Sequence, residues 1–118
     1  MKPILKSSNI DFINSFDDFS PEISENFWCT VDMEIGPDDK EGSNIFQLYV
    51  GTTRAFNHRI QHEGSLWGRH YMVVNEYDGE KLRALIEQKI AECARPTFEE
   101  TALVLSRYFY WEFEDYQV

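Results

Sequence analysis

The stretch FWCTVDMEIGPDDKEGSNIFQLYV, residues 27–50, carries the strongest structural signal in the chain. Residues 27–35 alternate apolar side chains with polar or half-polar ones at a period of two, which is typical of a β-strand with one buried face. Residues 43–50 repeat this alternation after a turn bounded by Gly36 and Gly42. The stretch therefore predicts an antiparallel hairpin whose turn is longer than a tight two-residue connection.

The segments on either side of the hairpin carry weaker signals. Residues 2–12 are expected to form a first strand, and the acidic residues 14–26, which include a proline, are expected to form a loop. After the hairpin, Thr52 or Thr53 can cap a short helix. Residues 69–76 predict one further strand around an apolar centre.

The last third of the chain predicts helices. Asp78 suits the N-cap of a helix that runs to Cys93, because apolar residues recur between them at helical spacing. Thr97, with Glu100 three residues later, has the pattern of a capping box. Residues 108–118 fit either a continued helix or a short strand, since their aromatic residues also alternate at a period of two.

The order of elements, strands first and helices last, predicts one α+β domain spanning residues 1–118. We expect an antiparallel β-sheet with two longer C-terminal helices, plus one short helix, packed on one face. Hydrophobic residues make up 42% of the chain, which is enough for a core and argues against disorder. Cys29 and Cys93 both fall on apolar faces, so we expect buried, reduced thiols.

Charge is concentrated at the two ends of the chain. Residues 1–41 carry ten acidic and three basic side chains, residues 42–95 six and seven, and residues 96–118 five and one. Concentrated negative charge repels nucleic acids and anionic membranes, and it steers basic proteins toward the molecule. Residues 108–116 interleave carboxylates with aromatic rings, of which we expect Trp111 and Phe113 to face inward; this composition is typical of protein-binding surfaces. Solubility is the simpler alternative for the same charge.

Patterns for catalysis or metal binding are weak. His58 and His62 are four residues apart and can share a metal, but Glu63 follows the second histidine, so the HExxH order is missing. The acidic residues 32–41 lack the register of an EF-hand loop. We expect no catalytic residue, metal or cofactor. A small enzyme or metal-binding protein that uses His58 and His62 is the less favoured alternative. No signal peptide or membrane span is visible, which predicts a cytoplasmic protein.

Three pieces of the chain together resemble the immunity protein 8 family of bacterial polymorphic-toxin and contact-dependent inhibition systems. They are the hairpin of residues 28–50, the strand and helix of residues 71–90, and the ending RYFYWEFEDY at residues 107–116. The ending is the most distinctive piece, whereas Thr52-Thr53 stands where the family usually has a Thr-Pro pair. The resemblance implies a cytoplasmic antidote that binds a toxin domain, often a nuclease.

A nuclease site must attract polyphosphate and is therefore lined with cationic side chains. A protein that occupies such a site should present carboxylates, so we predict a stoichiometric inhibitor of a basic, nuclease-type toxin C-terminal domain, with neither nucleic acid nor membrane as partner. The predicted partner-binding residues combine carboxylates with two aromatic anchors: Asp17, Asp18, Trp28, Asp38, Asp39, Glu41, Glu112, Glu114, Asp115 and Tyr116. An acidic adaptor or regulator of an endogenous basic partner remains an alternative.

Overall fold

The computed structural model describes residues 1–114, which form a five-stranded sheet and three helices. The elements in chain order are β1 (Pro3–Ile10), β2 (Trp28–Pro37), β3 (Asn44–Thr52), α1 (Thr53–Glu63), β4 (Tyr71–Val74), α2 (Gly79–Glu92), α3 (Phe98–Leu105) and β5 (Tyr110–Trp111). The predicted α+β class is confirmed. None of these helices has the length and apolar character that crossing a membrane requires.

The strands lie in the order β1-β2-β3-β4, and β5 pairs with β3. The predicted hairpin is confirmed, since β2 and β3 pair antiparallel from Trp28 opposite Gly51 to Ile35 opposite Asn44. The sheet is mixed, however, because β4 runs parallel to β3. The physical reason is the connection through α1 and residues 64–70, which returns the chain to the level of Tyr49 in β3 before β4 begins, as a crossover connection does.

One face of the sheet forms the core. The predicted inward side chains of the hairpin are all buried: Cys29, Val31, Met33, Ile35, Phe46, Leu48 and Val50. Leu82, Ile86 and Ile90 of α2 and Ala102 and Leu105 of α3 join the same cluster. Burying each large apolar side chain stabilises the fold by about 1.5–3 kcal/mol, so this face holds the two C-terminal helices in place.

Helix α1 contacts the opposite face of the sheet, which differs from the expected arrangement of all helices on one face. Its buried residue, Phe56, packs edge-on against Trp28 at a ring distance of 4.5 Å and against Tyr71 at 5.5 Å. Both partners point away from the core, as the register of their strands requires. Because Phe56 is the buried residue of α1, the Trp28 and Tyr71 rings form a patch large enough to pack this helix against the sheet. With 11 residues α1 is also longer than α3, which has 8.

The predicted helix starts are confirmed. The Thr52 hydroxyl accepts from the amide of Ala55, and the Asp78 carboxylate accepts from the amide of Lys81. The Thr97 hydroxyl accepts from the amide of Glu100 and donates to its carboxylate. The last pair differs from a full capping box, in which the glutamate reaches the backbone N–H of the N-cap residue.

The end of the described chain contains a strand. β5 places Trp111 on the core side, where its ring stacks on Phe46 at a distance of 6.3 Å. Phe113 is 45% exposed, so the prediction that it faces inward is wrong: a turn follows Trp111 and ends the period-two alternation. Cys29 and Cys93 are free and buried, as predicted.

Candidate protein-binding surface

The sheet face opposite α2 and α3 carries the polar half of the hairpin alternation. Asp32 and Gln47 are half-buried there, and Glu34 is exposed. The Gln47 amide donates to one Asp32 oxygen at 3.0 Å. The second Asp32 oxygen and the Asn9 oxygen of β1, at the paired position, are buried and accept no hydrogen bond within residues 1–114. We call this side the open face.

An aromatic cluster occupies one end of the open face and consists of Trp28, Tyr49, Phe56, Tyr71 and Tyr110. Tyr49 lies at its centre, with its ring 5.6 Å from Trp28, 5.4 Å from Tyr71 and 5.8 Å from Tyr110. The Arg59 guanidinium lies 4.2 Å above the Trp28 ring, a cation–π contact. Trp28, predicted as an aromatic anchor for the partner, is half-buried in this cluster, and its ring carries the Arg59 cation.

Glu114, a predicted partner-binding carboxylate, forms an ion pair with Arg69. Arg69 also donates from its Nε atom to His70 at 3.1 Å, and its carbonyl accepts from the Tyr110 hydroxyl at 2.7 Å. Burial, together with the adjacent Arg69 charge, lowers the pKa of His70. Glu112 is engaged as well, because its carboxylate accepts from the amide of Ile45 at 3.1 Å. Both carboxylates therefore help to hold β5 and its surroundings in place.

Asp38, Asp39 and Glu41 are exposed in the turn that joins β2 to β3, which we call the hairpin turn (residues 36–43). The Lys6 ammonium donates to the carbonyls of Lys40 and Gly42, at 2.5 and 2.9 Å, and so fixes the turn. The Asp38 carboxylate accepts from the backbone N–H of Lys2 at 2.9 Å. The fold thus adds the ammonium group of Lys6 to a turn that already contains Lys40, so two cations offset part of the charge of its three acidic residues, although none of these carboxylates forms an ion pair within residues 1–114.

Asp17 and Asp18 lie exposed in the loop between β1 and β2, which we call the acidic loop (residues 11–26). It contains five acidic residues and no lysine or arginine. Within residues 1–114, no ion pair reaches it. One cation does contact the loop: the Arg83 guanidinium lies 5.2 Å from the centroid of the Phe16 ring. The charge of this loop is therefore left largely uncompensated by the protein itself.

The acidic loop is pinned to the core despite its polar composition. Phe16 is buried, and its carbonyl accepts from the Tyr77 hydroxyl at 2.5 Å. The amide of Tyr77 donates to the Ser24 carbonyl at 2.8 Å, and Phe19 packs edge-on against the Tyr77 ring. Burial, with smaller effects from the neighbouring Cys29, Asp17 and Asp78, raises the pKa of Tyr77 to about 12. The carboxylates of this loop are consequently displayed from a fixed backbone.

The histidines do not converge. His58 and His62 are exposed on α1 and line a shallow depression together with Trp28 and Arg59. His70 lies instead beside Tyr110, with a ring distance of 4.6 Å. In residues 1–114, no three His, Cys, Asp or Glu side chains lie close enough together to hold a metal ion.

The predicted binding residues are therefore divided between separate regions. The hairpin turn and Trp28 lie at opposite ends of β2, about 26 Å apart, since Gly36 follows Trp28 by eight residues of strand. Asp115 and Tyr116 lie outside the described residues. The aromatic cluster was not predicted from the sequence. Trp28 and Tyr49 on the polar side of the hairpin alternation were a signal for it, whereas Tyr71 and Tyr110 join it only through strand pairing.

Comparison with known proteins decides the family. The sequence model described as Immunity protein 8 matches residues 4–116, nearly the whole chain. The chain belongs to the immunity protein 8 family. This membership implies an immunity protein of a toxin–immunity system, which binds a cognate toxin, and it confirms the resemblance found in the sequence. Comparisons with curated proteins and with solved structures find no match.

Proposed function

We propose that this immunity protein is a non-catalytic inhibitor that forms an equimolar complex with the basic, nuclease-type C-terminal domain of its cognate toxin. The observation that carries the proposal is the acidic loop, where five carboxylates stand on a pinned backbone with no ion pair within residues 1–114. Unpaired surface charge of one sign attracts a partner of the opposite sign. The acidic loop is therefore the region from which we expect the attraction to come.

The mechanism follows from the chemistry of a nuclease site. Such a site binds phosphates through lysine and arginine side chains, so carboxylates placed there occupy the positions of the substrate's phosphates. Complementary potentials raise association rates to about 10⁸–10⁹ M⁻¹s⁻¹ at low salt, which favours capture of the toxin before it cuts. Occlusion of this kind requires no catalytic group in the inhibitor. We place the encounter in the bacterial cytoplasm, with a protein as the partner and not a nucleic acid or a membrane.

The other predicted binding residues have smaller roles in this proposal. Lys6 and Lys40 offset part of the charge of the hairpin turn, and Glu112 and Glu114 are held by Ile45 and Arg69. Trp28 carries Arg59 above its ring. We therefore rank Asp17 and Asp18 first, and treat Asp38, Asp39, Glu41, Asp115 and Tyr116 as secondary candidates.

The first test is complex formation. The chain is co-expressed with the toxin C-terminal domain encoded by the neighbouring gene, and growth, co-purification and nuclease activity are measured. We expect growth to be rescued, a complex to purify, and nuclease activity to fall to zero at equimolar inhibitor. Inhibition without a complex, or with far less than one inhibitor per toxin, would contradict the proposal because it indicates catalysis.

The second test compares two variants with the same change in charge. Asp17→Asn/Asp18→Asn/Glu22→Gln removes three of the five carboxylates of the acidic loop, and Asp38→Asn/Asp39→Asn/Glu41→Gln removes the three carboxylates of the hairpin turn, whose charge Lys6 and Lys40 already offset in part. We expect the first variant to reduce the association rate with the toxin domain by about tenfold or more at low salt, and the second to reduce it by about threefold or less. Equal reductions would show that only total charge matters, and no reduction in either would refute the electrostatic account.

A further inference from the structure

The tip of the acidic loop has an unusual backbone. Asp11 and Phe12, which follow β1 directly, have φ angles of +51° and +69°. Two successive positive φ values are typical of type I′ turns, where Asn and Gly are the usual residues. Asn and Asp tolerate this region through local hydrogen bonds, but for a bulky aromatic residue it is an outlier. Phe12 therefore strains the backbone of the turn that it occupies.

Hydrogen bonds on both sides hold this tip in place. The amide of Ile10 donates to the Asn14 carbonyl at 2.6 Å, and the amide of Asn14 donates back to the Ile10 carbonyl at 3.0 Å. The amide of Asp11 donates to the Thr30 carbonyl of β2, and the Asp11 carboxylate accepts from the Thr30 amide, both at 2.9 Å. Ile10 and Phe16 on either side are buried. The tip is consequently a rigid projection from the sheet.

The side chains at the tip are apolar and face solvent. Phe12 is 74% exposed and Ile13 is 85% exposed. Neither the Phe12 ring nor the Ile13 side chain contributes to the core cluster. The fold therefore gains little from two large apolar residues at this position, and one of them strains its backbone. Strain that the fold does not need is a reason to look for a function.

Acidic residues lie close to this apolar tip along the chain. Asp11 lies beside Phe12, and at most about 14 Å of chain separates Ile13 from Asp17. Exposed apolar anchors within a polar, charged rim are the usual composition of the energetic centre of a protein–protein interface. The exposed Trp67, by contrast, lies two residues from Arg69 and has no acidic neighbour in residues 64–70. Charge thus selects the tip of the acidic loop, and not Trp67, as the complement to a basic partner.

We infer that Phe12 and Ile13 are the apolar anchor of the toxin interface and insert into an apolar pocket on the toxin domain that is bordered by lysine and arginine side chains. This inference rests on the proposed function and adds the point of contact to it. The carboxylates of the acidic loop supply the attraction, and the rigid tip supplies the desolvated contact. A preformed tip binds tightly because little of its motion is lost on binding.

The test uses Phe12→Asn, because asparagine tolerates a positive φ and removes the apolar ring. Affinity for the toxin C-terminal domain encoded by the neighbouring gene is measured by surface plasmon resonance, alongside the melting temperature. We expect affinity to fall by about 30-fold or more, mainly through faster dissociation, with a melting temperature equal to or above that of the wild type. Ile13→Gln should weaken binding in the same way. Trp67→Gln is the matched control and should bind like the wild type.

The outcomes separate the two proposals. If the wild-type chain does not bind the toxin domain, both the proposed function and this inference fall. If the wild type binds and Phe12→Asn and Ile13→Gln bind equally well, the inference alone is wrong. A lower melting temperature of Phe12→Asn would assign the ring to the fold and overturn the inference. So would a wild-type dimer that Phe12→Asn converts into a monomer, since the tip would then contact a second copy of this chain.

Discussion

Single residues in this protein often act on two elements at once. The Thr52 hydroxyl caps α1 through the amide of Ala55 and also accepts from the amide of Phe27, at 3.3 Å, so it connects the helix to the start of β2. The sequence allowed either Thr52 or Thr53 as the cap, and the hydrogen bond from the Ala55 amide to the Thr52 hydroxyl decides for Thr52. Tyr77 has a similar double role, since its hydroxyl and its amide hold the acidic loop at two points, Phe16 and Ser24.

The raised pKa values of two side chains, Cys29 and Tyr77, predict how the stability of the protein changes at alkaline pH. Burial raises the pKa of the Cys29 thiol to about 12, with a smaller effect of Asp11, and the pKa of Tyr77 is likewise about 12. The unfolded chain releases these protons near pH 9 and 10, whereas the folded chain keeps them. The folded state therefore binds more protons in this range, and the free energy of unfolding should fall as pH rises from about 9 toward 12.

Tyr77→Phe tests this linkage. We expect a loss of about 1–2 kcal/mol at neutral pH, because the hydrogen bond to the Phe16 carbonyl is removed, and a shallower decline of stability above pH 9. Urea unfolding at a series of pH values measures both quantities. Tyr108→Phe, which alters an exposed ring, is the control. If the free energy of unfolding falls equally with rising pH in Tyr77→Phe and in the wild type, Tyr77 does not contribute to the alkaline loss of stability.

At the scale of elements, the contact between the acidic loop and α2 depends on a glycine. Gly79 begins α2, and a Cβ atom there would overlap the carbonyl oxygen of Phe16. The backbone of the acidic loop can approach the helix this closely only because the side chain is absent. The loop and the helix are thus fitted to each other by main-chain atoms as well as by the buried ring of Phe16.

Gly79→Ala should therefore destabilise the protein, although alanine normally favours a helix. We expect a loss of about 1–3 kcal/mol, because overlap with a backbone atom cannot be relieved by a change of rotamer. Gly68→Ala is the matched control, since a Cβ atom added there would have no heavy atom of the described chain within 4 Å, and we expect a change within about 0.5 kcal/mol. Chemical denaturation measures both variants. A stabilised Gly79→Ala would mean that the loop withdraws from α2.

At the scale of the whole molecule, a net charge of −10 on 118 residues predicts salt-dependent recognition. Between about 0.05 and 0.5 M salt, screening shortens the range of the field, and we expect the association rate with the toxin domain to fall by about tenfold or more. The dissociation rate should change much less, because the apolar anchor is not screened. Stopped-flow fluorescence measures both rates. Salt effects confined to dissociation would contradict long-range steering.

The sequence predicts the hairpin well because successive side chains of a strand point to opposite faces of the sheet. One face of each strand is buried, so apolar residues must recur at every second position. Caps at Asp78 and Thr97 are predictable for a similar reason, since the capping side chain and the amide it binds are three residues apart. The parallel direction of β4 was not predicted, because it depends on where α1 delivers the chain. Phe113 was placed wrongly because a period of two cannot be continued past an unrecognised turn.

The sequence by itself determined the hairpin, the helix starts and the concentration of charge at the two ends of the chain, since each depends on neighbouring residues. Only the tertiary structure decided which carboxylates remain without a cation. Lys6 reaches the hairpin turn from 34 and 36 residues away, and Arg69 reaches Glu114 across the fold. Because charges meet through space and not only along the chain, a count of charges in the sequence could not show that Lys6 offsets part of the charge of the hairpin turn.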